Sequence, residues 1–482
     1  MSSSFNAPGS QVLHDLKAVV GDEGWKPAAD GARYFEDPRG RFKGRASLIV
    51  LPDSTEQVAQ VVRICNDAKV GIVPFSGGTG VVAGQMSVDS DAAIVLSLER
   101  MNKVREVLID DGAIVVEAGC ILENIHHSAS AHDLMFPLSM ASKGSCCIGG
   151  NLATNAGGIQ VVRHGNARDL CLGIEAVLPD GSIYSALSPL RKDNTGYDLR
   201  HLLIGSEGTL GIITAATLVL KPVDPETVTV LCAIASPGAG LELYKHIRKQ
   251  LGESISALEL MSDFGLRLVT THFPALSIPF TEDHDWYLLL EASGPTGIRD
   301  RLEEVLEACL EGELLFDAVV AQSQTQQKSL WDLRENTPEA NRAGGAFCNS
   351  DTSVPISKVG AFIAQTTRMI HDIHPGLRMN TYGHIGDGNI HHNVLPPEGI
   401  SKSEFVATHP EIVKAVRMAI NEATRMFDGS ISAEHGIGRL KTEDLELYAS
   451  PEKQALLRRI KSALDPNNIM NPGAMMTDGP AH

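Results

Sequence analysis

The sequence lacks any run of about 18 consecutive apolar residues, the length that a membrane-crossing helix needs. Its eight cysteines are scattered over 482 residues without a Cys-x-x-Cys pair, which argues against disulfides and structural zinc. It also has no low-complexity tract and no internal repeat of roughly 20 to 50 residues. With 43% apolar residues, the chain is expected to be a soluble globular protein with a large core, in a reducing compartment.

Positive charge is scarce as well, since 41 lysines and arginines face 59 aspartates and glutamates, a net charge of −18. This acidic excess disfavours nucleic acid or an anionic membrane as a partner. An anionic substrate would need a local cluster of cations. The first ten residues, MSSSFNAPGS, lack the basic and apolar segments of an export signal, so we expect a cytoplasmic location.

The chain divides into two regions by pattern. Between Ala46 and Leu220, glycine clusters alternate with short β-branched runs, whereas helical periodicity alternates with strands after Val223. This indicates an α+β protein with a boundary near Lys221 and Pro222. The predicted helices are 55–68, 240–251, 297–310, 356–373, 409–426 and 451–464. The predicted strands are 47–51, 71–74, 92–98, 113–117, 171–178, 211–220, 228–234 and 285–292.

A glycine-rich loop, PFSGGTG, follows the predicted strand 71–74. Glycines after a strand let backbone N–H groups converge on a phosphate. The run from Gly78 to Ala83 also matches GxGxxA, with Glu99 downstream, so a Rossmann site for NAD is one alternative. That site needs a crossover helix, and Val81 to Asp91 is too short and too rich in helix breakers. A phosphate-binding loop without a βαβ unit remains, beside the alternative of an ordinary turn.

Two further loops strengthen the case for a ligand. The run from Lys143 to Gly158 combines small side chains and amides with glycines, which suits close approach by a flat ligand. The run from Gly205 to Thr214 precedes a strand, and Asp180-Gly181 between the two loops is a plausible hairpin turn. Three separate loops around one ligand indicate a large cofactor.

Histidines flank a predicted hairpin in the segment TYGHIGDGNIHHNV. If 386–389 form its loop, His384 opposes His391 on one face, and His392 points the other way. Two facing imidazoles could bind one metal ion, although a hairpin with surface histidines is the alternative. Glu434 and His435, adjacent in a second glycine-rich turn, offer a third ligand and a group facing the substrate.

These loops, together with RHGN at 163–166, LPDG at 178–181 and DPNNIMNPG at 465–473, resemble the FAD-linked oxidases of the vanillyl-alcohol oxidase superfamily. The likeness is strongest to the D-2-hydroxyglutarate and D-lactate dehydrogenase branch and covers roughly 48–473. It implies an α+β fold in which a PCMH-type (p-cresol methylhydroxylase-type) FAD-binding domain, 1–222, precedes an antiparallel-sheet substrate or cap domain, 223–430. A C-terminal segment, 431–482, returns to the FAD domain.

The resemblance also implies site residues. The first loop would hold the FAD pyrophosphate and the second would run beside the isoalloxazine. Because 74–84 contain no histidine, noncovalent FAD is expected, with His164 as the residue for a covalent link otherwise. The expected FAD-binding residues are Pro74, Ser76, Gly77, Gly78, Thr79, Gly80, Gly84, Gln85, Ser142, Gly144, Ser145, Gly149, Gly150, Asn151, Ala153, Thr154, Asn155, Gly157, Gly158, Glu207, Gly211, Ile212 and Asn471.

For the chemistry, the resemblance assigns a divalent metal, zinc or manganese, to His384, His391 and Glu434, and the general base to His435. Two histidines and one carboxylate leave coordination positions open for a substrate hydroxyl. The implied reaction is oxidation of a D-2-hydroxy acid, with hydride transfer to flavin. The expected substrate residues are Arg334, Asn349, Tyr382 and Asn393. For Arg334 alone, a surface arginine paired with a neighbouring acid is the alternative.

Two departures from the hydroxyglutarate enzymes bear on the substrate. Pro338 stands where a threonine is expected, and Asn349 stands where a lysine is expected. The loss of a cation and a hydroxyl makes a second carboxylate harder to hold. A smaller or less charged D-2-hydroxy acid is therefore expected, unless Arg342 or Lys358 compensates.

Other functional classes remain open at this point. One is a flavoprotein subunit of a glycolate-oxidase-like electron-transfer complex, and another is the NAD-dependent Rossmann enzyme. For the dehydrogenase, the expected partners are the small hydroxy acid and an external electron acceptor, which could be an electron-transfer flavoprotein, a cytochrome or a quinone. A homodimer is expected.

Overall fold

The structure is a computed structural model that describes residues 7–37, 39–87 and 92–477. The chain forms two compact units. The first unit comprises 1–158, 165–223 and 434–482, and the second comprises 159–164 and 224–433. Among the described residues, no helix combines the length and apolarity needed to cross a bilayer.

The helices are listed here in chain order. They are α1 (Ser10–Val20), α2 (Ala32–Phe35), α3 (Thr55–Ala68), α4 (Leu122–Ser130), α5 (Ile148–Ala153), α6 (Val161–His164), α7 (Arg200–Leu203), α8 (Pro237–Leu251), α9 (Asp263–His272), α10 (Ile298–Glu311), α11 (Gln324–Glu335), α12 (Thr337–Ala343), α13 (Val359–Ile373), α14 (Lys402–Thr408), α15 (Pro410–Met426), α16 (Thr442–Tyr448) and α17 (Pro451–Leu464). Short 3₁₀ helices span Asp22–Gly24, Ala28–Asp30, Gly252–Ser254 and Ile356–Lys358.

The strands follow the same order. They are β1 (Trp25–Pro27), β2 (Leu48–Val50), β3 (Gly71–Phe75), β4 (Ala93–Ser97), β5 (Val104–Leu108), β6 (Ala113–Glu117), β7 (Leu134–Met135), β8 (Cys171–Val177), β9 (Ile183–Ala186), β10 (Ile212–Val219), β11 (Lys221–Pro222), β12 (Glu226–Ile234), β13 (Ile255–Ser262), β14 (Trp286–Gly294), β15 (Asp317–Val320), β16 (Cys348–Asn349), β17 (Thr352–Ser353), β18 (Arg378–His384) and β19 (Asn389–Leu395).

The first unit contains a mixed sheet and an antiparallel sheet. The mixed sheet has the order β1-β2-β4-β3, in which β2, β4 and β3 run parallel. The antiparallel sheet has the order β5-β6-β10-β8-β9, and the predicted turn at Asp180-Gly181 joins β8 to β9. After β3, the described residues 76–87 form bends and turns without a helix, and 88–91 lie outside the described residues. Within 76–87, therefore, the crossover helix of a Rossmann unit does not begin.

The C-terminal segment completes the core of the first unit. Ile469 and Met470 are fully buried among the side chains of α3, β2 and β3. The N–H of Ile72 on β3 donates to the carbonyl of Ile469 at 2.7 Å, and the N–H of Asn471 donates to the carbonyl of Ile72 at 2.8 Å. The end of the described chain thus lies along the edge of β3, beside the first glycine loop.

The second unit is built on one antiparallel sheet with the order β15-β12-β14-β13-β18-β19-β16, and β17 also pairs with β19. Side chains of α8, α10 and α13 cover one face of this sheet and form the larger apolar cluster. Side chains of α9, α11 and α12 cover part of the other face. The predicted antiparallel sheet is confirmed, and its second face contains the polar residues described below.

Candidate active site

One cavity of the first unit is bordered by all three glycine-rich loops. Its empty volume is about 920 Å³, part of it open to solvent, which suits a large ligand. The expected FAD-binding residues on its wall are Pro74, Ser76, Gly77, Gly78, Thr79, Gly80, Gly84, Gln85, Gly149, Gly150, Asn151, Ala153, Thr154, Glu207, Gly211 and Ile212. The wall also includes Phe75, Val82, Leu98, Cys146, Cys147, Leu203, Ser206, Gly208, Ile213 and His435.

The first and second loops meet at backbone distance. A β-carbon at Gly77 would lie 2.5 Å from the carbonyl oxygen of Ser145 and 2.8 Å from Cα of Cys146. Gly78 follows with φ of +72°, a backbone conformation that favours glycine. A larger residue at Gly77 would therefore force the two loops apart and change the shape of the cavity.

Two buried polar atoms on the cavity wall support a bound ligand. Ser76 Oγ and Asn151 Oδ1 have no hydrogen-bond partner among the described residues. Buried polar atoms normally find a partner, so a polar group of a ligand is expected to meet them. These atoms, the glycine contacts and the cavity's size fit FAD.

The carboxylate of Glu207 fixes the turn that contains His435. The Glu207 carboxylate accepts hydrogen bonds from the N–H groups of Ile437 at 2.7 Å and Gly438 at 2.6 Å. Burial raises the pKa of Glu207, against the opposing effect of these two bonds. A β-carbon at Gly438, where φ is +50°, would lie 2.1 Å from the carbonyl oxygen of Val82. The turn is therefore fixed by contacts with both the first and the third loop.

Arg439 and Asn471 strengthen this junction. Arg439 Nη1 donates to the carbonyls of Ala83 and Gly84, each at 3.1 Å, and its Nη2 donates to Asn471 Oδ1 at 2.8 Å. Asn471 Nδ2 donates in turn to the carbonyls of Gly84 at 2.8 Å and Glu207 at 2.7 Å. Sequence reasoning missed Arg439, because nothing in its neighbourhood indicates partners so distant in the chain.

Some expected FAD-binding residues lie outside the cavity wall. Gly144 and Ser145 are exposed, in a turn closed by a 2.9 Å bond from the N–H of Ser145 to the carbonyl of Ser142. A β-carbon at Gly158 would lie 2.1 Å from the carbonyl oxygen of Ser139, so tight backbone packing explains this glycine. Contact with FAD stays a prediction for all the expected residues, seven of which lie off the wall. Those seven are Ser142, Gly144, Ser145, Asn155, Gly157, Gly158 and Asn471.

The histidine hairpin of the second unit forms, but in a different register from the predicted one. Its four-residue loop is 385–388, so His384 pairs with Asn389 and Tyr382 pairs with His391. The predicted pairing of His384 with His391 was wrong by two residues. A shift of two keeps every side chain on its face, so His384, Tyr382, His391 and Asn393 share one face as predicted.

Contacts at the end of the loop explain the register. Gly388 ends the loop with φ of +85°, where a β-carbon would lie 2.1 Å from the carbonyl oxygen of Val354. Asn389 then begins β19, and its side-chain amide donates to the carbonyl of Thr352 at 3.0 Å. Sequence reasoning could not see β17, to which Val354 is adjacent and which fixes Asn389 in the strand.

His392 lies on the opposite face, as predicted, and the structure shows it to be a core residue. It is fully buried, and its Nδ1 lies 2.9 Å from Thr381 Oγ1. Burial lowers the pKa of His392 to about 3, so the ring is neutral near pH 7. His392 is therefore not a candidate metal ligand, unlike His384 and His391.

A buried glutamate that sequence reasoning missed connects His384 and Arg334. Glu259 lies on β13 directly opposite His384 on β18, and its Oε1 is hydrogen-bonded to His384 Nδ1. Its Oε2 accepts a hydrogen bond of 2.5 Å from Arg334 Nε. Burial raises the pKa of Glu259, but the charges and hydrogen bonds of Arg334 and His384 outweigh it, so the pKa is held well below its usual range.

Arg334 itself is 6% exposed, which excludes the alternative of a surface arginine. Its guanidinium carbon lies 4.6 Å from the centre of the Tyr382 ring, a cation–π distance. The only acid in an otherwise uncharged strand, ISALELMS, was the available signal for Glu259. Nothing in that strand points to partners 75 and 125 residues away.

The two hairpin histidines fit a metal. They are 7% and 8% exposed, which excludes a pair of surface histidines. Each has Nδ1 hydrogen-bonded to an acceptor, Glu259 for His384 and the carbonyl of Ser350 for His391 at 3.1 Å. A histidine held at Nδ1 is oriented to offer Nε2 to a metal. The potential ligand atoms of the pair lie within 4.8 Å of each other, close enough to share one ion.

Known protein families match both halves of the chain. The signature of the C-terminal domain of FAD-linked oxidases matches residues 223–475, and that of an FAD-binding domain matches residues 46–186. The chain belongs to the FAD-linked oxidase family. The chain is 40% identical over 448 residues to a D-2-hydroxyglutarate dehydrogenase of Xanthomonas citri pv. viticola, covering 93% of each chain.

Other relatives are named for similar reactions. A mitochondrial D-2-hydroxyglutarate dehydrogenase of Arabidopsis thaliana is 36% identical, covering 97% of this chain and 82% of the relative. A putative mitochondrial D-lactate dehydrogenase of Schizosaccharomyces pombe is 33% identical, covering 96% of this chain and 89% of the relative.

Solved structures confirm the predicted fold. A p-cresol methylhydroxylase with substrate bound has a TM-score of 0.73 at 18% identity, covering 96% of both chains. A 4-ethylphenol oxidase of Gulosibacter chungangensis has a TM-score of 0.74 at 19% identity, covering 98% of both chains. The chain therefore has the α+β fold of the p-cresol methylhydroxylase type.

The two residues that depart from the expected substrate pattern lie in the second unit. Asn349 pairs with Asn393 across β16 and β19, so both belong to the face of His391. Pro338 lies in the first turn of α12. The candidates for compensation are paired elsewhere: Arg342 with Glu339 on the exposed side of α12, and Lys358 with Asp428.

His164 lies at the end of α6, in the short stretch 159–164 that belongs to the second unit. Val162 in this helix packs on the larger apolar cluster of that unit. Arg163 forms a two-bond ion pair with Asp224, with its closest contact at 2.5 Å. The sequence boundaries did not assign 159–164 to the second unit, because a short helix after a glycine loop shows no pattern of its own.

Proposed function

We propose that this protein is an FAD- and metal-dependent dehydrogenase that oxidises a D-2-hydroxy acid to the 2-oxo acid. The observation that carries the proposal is the polar face of the second unit's sheet. It holds a buried arginine and two buried histidines, and one of these histidines, His384, is linked to the arginine through Glu259. An arginine suits a carboxylate, and histidines suit a metal that binds a neighbouring hydroxyl.

Arg334 is the proposed clamp for the substrate's C1 carboxylate. The side chain is confined by Glu259 and by the Tyr382 ring, so it loses little freedom when an anion binds. Asn393 and Asn349 lie on adjacent strands of the same face and are proposed to contact the rest of the acid. The names of the curated relatives, D-2-hydroxyglutarate and D-lactate dehydrogenases, support a 2-hydroxy acid.

His384 and His391 are the proposed metal ligands, and Glu434 is proposed as the third. When bound, FAD supplies a hydride acceptor and the divalent metal, zinc or manganese, supplies a Lewis acid for the 2-hydroxyl. Glu259 and the carbonyl of Ser350 orient the two imidazoles. The expected FAD is noncovalent, and acid precipitation should release the yellow chromophore into the supernatant.

His435 is the proposed general base. It lies on the wall of the cavity that fits FAD, in the turn that Glu207 holds. With bound FAD as the hydride acceptor for C2, the His435 imidazole would take the proton of the 2-hydroxyl, and the product would carry a C=O bond at C2. We propose that an external acceptor would take the two electrons from the reduced cofactor. We also propose a cytoplasmic setting.

An anaerobic screen of 2-hydroxy acid enantiomers tests this function. Purified protein should bleach at the flavin absorption band with D-lactate or D-2-hydroxyglutarate, and the L enantiomers should leave it unchanged. An artificial electron acceptor should sustain turnover with the same acids. The proposal is wrong if no D-2-hydroxy acid bleaches the flavin, or if the protein is purified without colour.

A further inference from the structure

Glu259 is a fully buried carboxylate that contacts two residues of the proposed site. The residue is 0% exposed, and both carboxylate oxygens are hydrogen-bonded, one to Arg334 and one to His384. A buried carboxylate is destabilising unless its charge is compensated. These two partners are also the proposed carboxylate clamp and a proposed metal ligand.

The bond to His384 fixes the histidine's chemistry. A carboxylate that accepts from Nδ1–H selects the tautomer with the proton on Nδ1 and increases the electron density at Nε2. It also fixes the rotation of the ring, because Glu259 and His384 face each other across paired strands. Without the carboxylate, Nε2 would be a weaker and less well oriented ligand.

The bond to Arg334 adds an electrostatic effect. A guanidinium and a divalent metal in the same buried region repel each other, and the repulsion is strong where water is excluded. Glu259 places one negative charge in contact with both the arginine and the histidine. A change at either partner therefore alters the charge that Glu259 presents to the other.

We propose that Glu259 is a positioning residue that links metal binding at His384 to carboxylate binding at Arg334. This inference rests on the proposed function. It predicts that removing the negative charge weakens metal binding, and that removing the arginine strengthens it. A residue that only supported the fold would not produce opposite effects at the metal.

The test measures zinc affinity of the FAD-containing enzyme after treatment with a chelator, by titration with zinc chloride against a fluorescent zinc indicator. Glu259→Gln keeps the side-chain shape without the charge, and we expect zinc affinity to fall about 10- to 100-fold. Arg334→Met should raise zinc affinity several-fold. The flavin spectrum and the melting temperature report whether each variant folds.

Glu291→Gln is the matched control. Glu291 lies on β14, next to β13, and accepts hydrogen bonds from Trp331 and Ser256, each at 2.9 Å, but from no histidine among the described residues. Its variant should bind zinc within about twofold of the wild type. An equal loss in Glu291→Gln and Glu259→Gln would mean a general disturbance of the sheet and would overturn the proposal.

His384→Ala separates this inference from the proposed function. If His384→Ala loses zinc and Glu259→Gln binds zinc as the wild type does, the role of Glu259 is overturned and the metal site stands. If His384→Ala itself binds zinc normally, the proposed metal site fails. Should Glu259→Gln not retain FAD, Arg334→Met decides, because unchanged zinc affinity in that variant contradicts the link.

Discussion

At the scale of single residues, the side chains proposed to bind metal or substrate were predictable from the sequence, but the residue that holds them in position was not. His384, His391 and Arg334 stand in short motifs, and the structure brings them to one buried face. Glu259 stands in an apolar strand, and its partners come from elements far along the chain. A sequence pattern indicates which chemistry a residue could perform. Which residues it contacts depends on the order of the strands in the sheet, and a single sequence does not reveal that order.

His384→Ala should remove the bound metal and lower kcat by at least about 100-fold, because a ligand and its held imidazole are lost together. FAD should remain, since the cavity belongs to the first unit. Metal analysis and the flavin spectrum measure both effects, and treatment with a chelator should reproduce them. His371→Ala changes an exposed histidine on α13 and should retain metal and activity. Full activity of metal-free wild type would contradict the prediction.

Asn349→Lys should raise kcat/KM for D-2-hydroxyglutarate relative to D-lactate. A lysine at this position adds a cation beside Asn393, and a new pair worth ~1.4 kcal/mol would give about a tenfold relative gain. Steady-state kinetics with both acids measures the ratio. Asn349→Gln, which adds length without charge, should leave the ratio within about twofold. A wild type that already prefers D-2-hydroxyglutarate would show that another residue holds the second carboxylate.

At the scale of elements, helices with clear periodicity and caps were predicted best. The helices α3 and α17 have the predicted bounds, and α8 begins three residues before the predicted start, at a Ser236 cap. Hairpin register was predicted least well, because the contact of Gly388 with Val354 decides it. Local patterns thus fix an element's type, while neighbouring segments fix its last residues and pairing.

Glu175 on β8 joins three elements, and its removal should weaken their packing. It accepts hydrogen bonds from Thr55 of α3 at 2.7 Å, Arg105 of β5 at 3.1 Å and Thr214 of β10 at 3.1 Å. Burial raises the pKa of Glu175, but Thr55 and Arg105 more than offset it, so the net shift is downward. Glu175→Gln should cost about 1 kcal/mol near pH 7, because Arg105 is partly solvated.

The pH dependence of this loss follows from the direction of the shift. A carboxyl with a lowered pKa stabilises the fold above its unfolded-state value, about 4.3, and this contribution disappears as pH falls through the folded value. The difference in melting temperature between wild type and Glu175→Gln should therefore shrink below about pH 4. Glu106→Gln, at an exposed site on β5, should match the wild type throughout. A constant difference from pH 7 to pH 3 would argue against the charge.

At the scale of the whole molecule, the chain leaves the first unit and later returns to it. Residues 224–433 form the second unit between two parts of the first. The resemblance predicted this arrangement in outline, and composition alone indicated only the boundary near Lys221 and Pro222. The assignment of 159–164 to the second unit was not predicted, because only tertiary packing assigns so short a segment to a unit.

The return of the chain has a consequence for synthesis on the ribosome. When residue 223 leaves the exit tunnel, Ile72 and Gly84 still lack the partners that Ile469 and Asn471 later supply. The nascent first unit therefore stays incomplete while about half of the polypeptide is still being translated. Ribosome-bound chains halted at residue 433 should therefore be cleaved by protease near 76–84 and bind no FAD. Chains released at full length should be protected from cleavage at 76–84. Protection of the halted chains would contradict this prediction, because the first glycine loop would then form without Ile469 and Asn471.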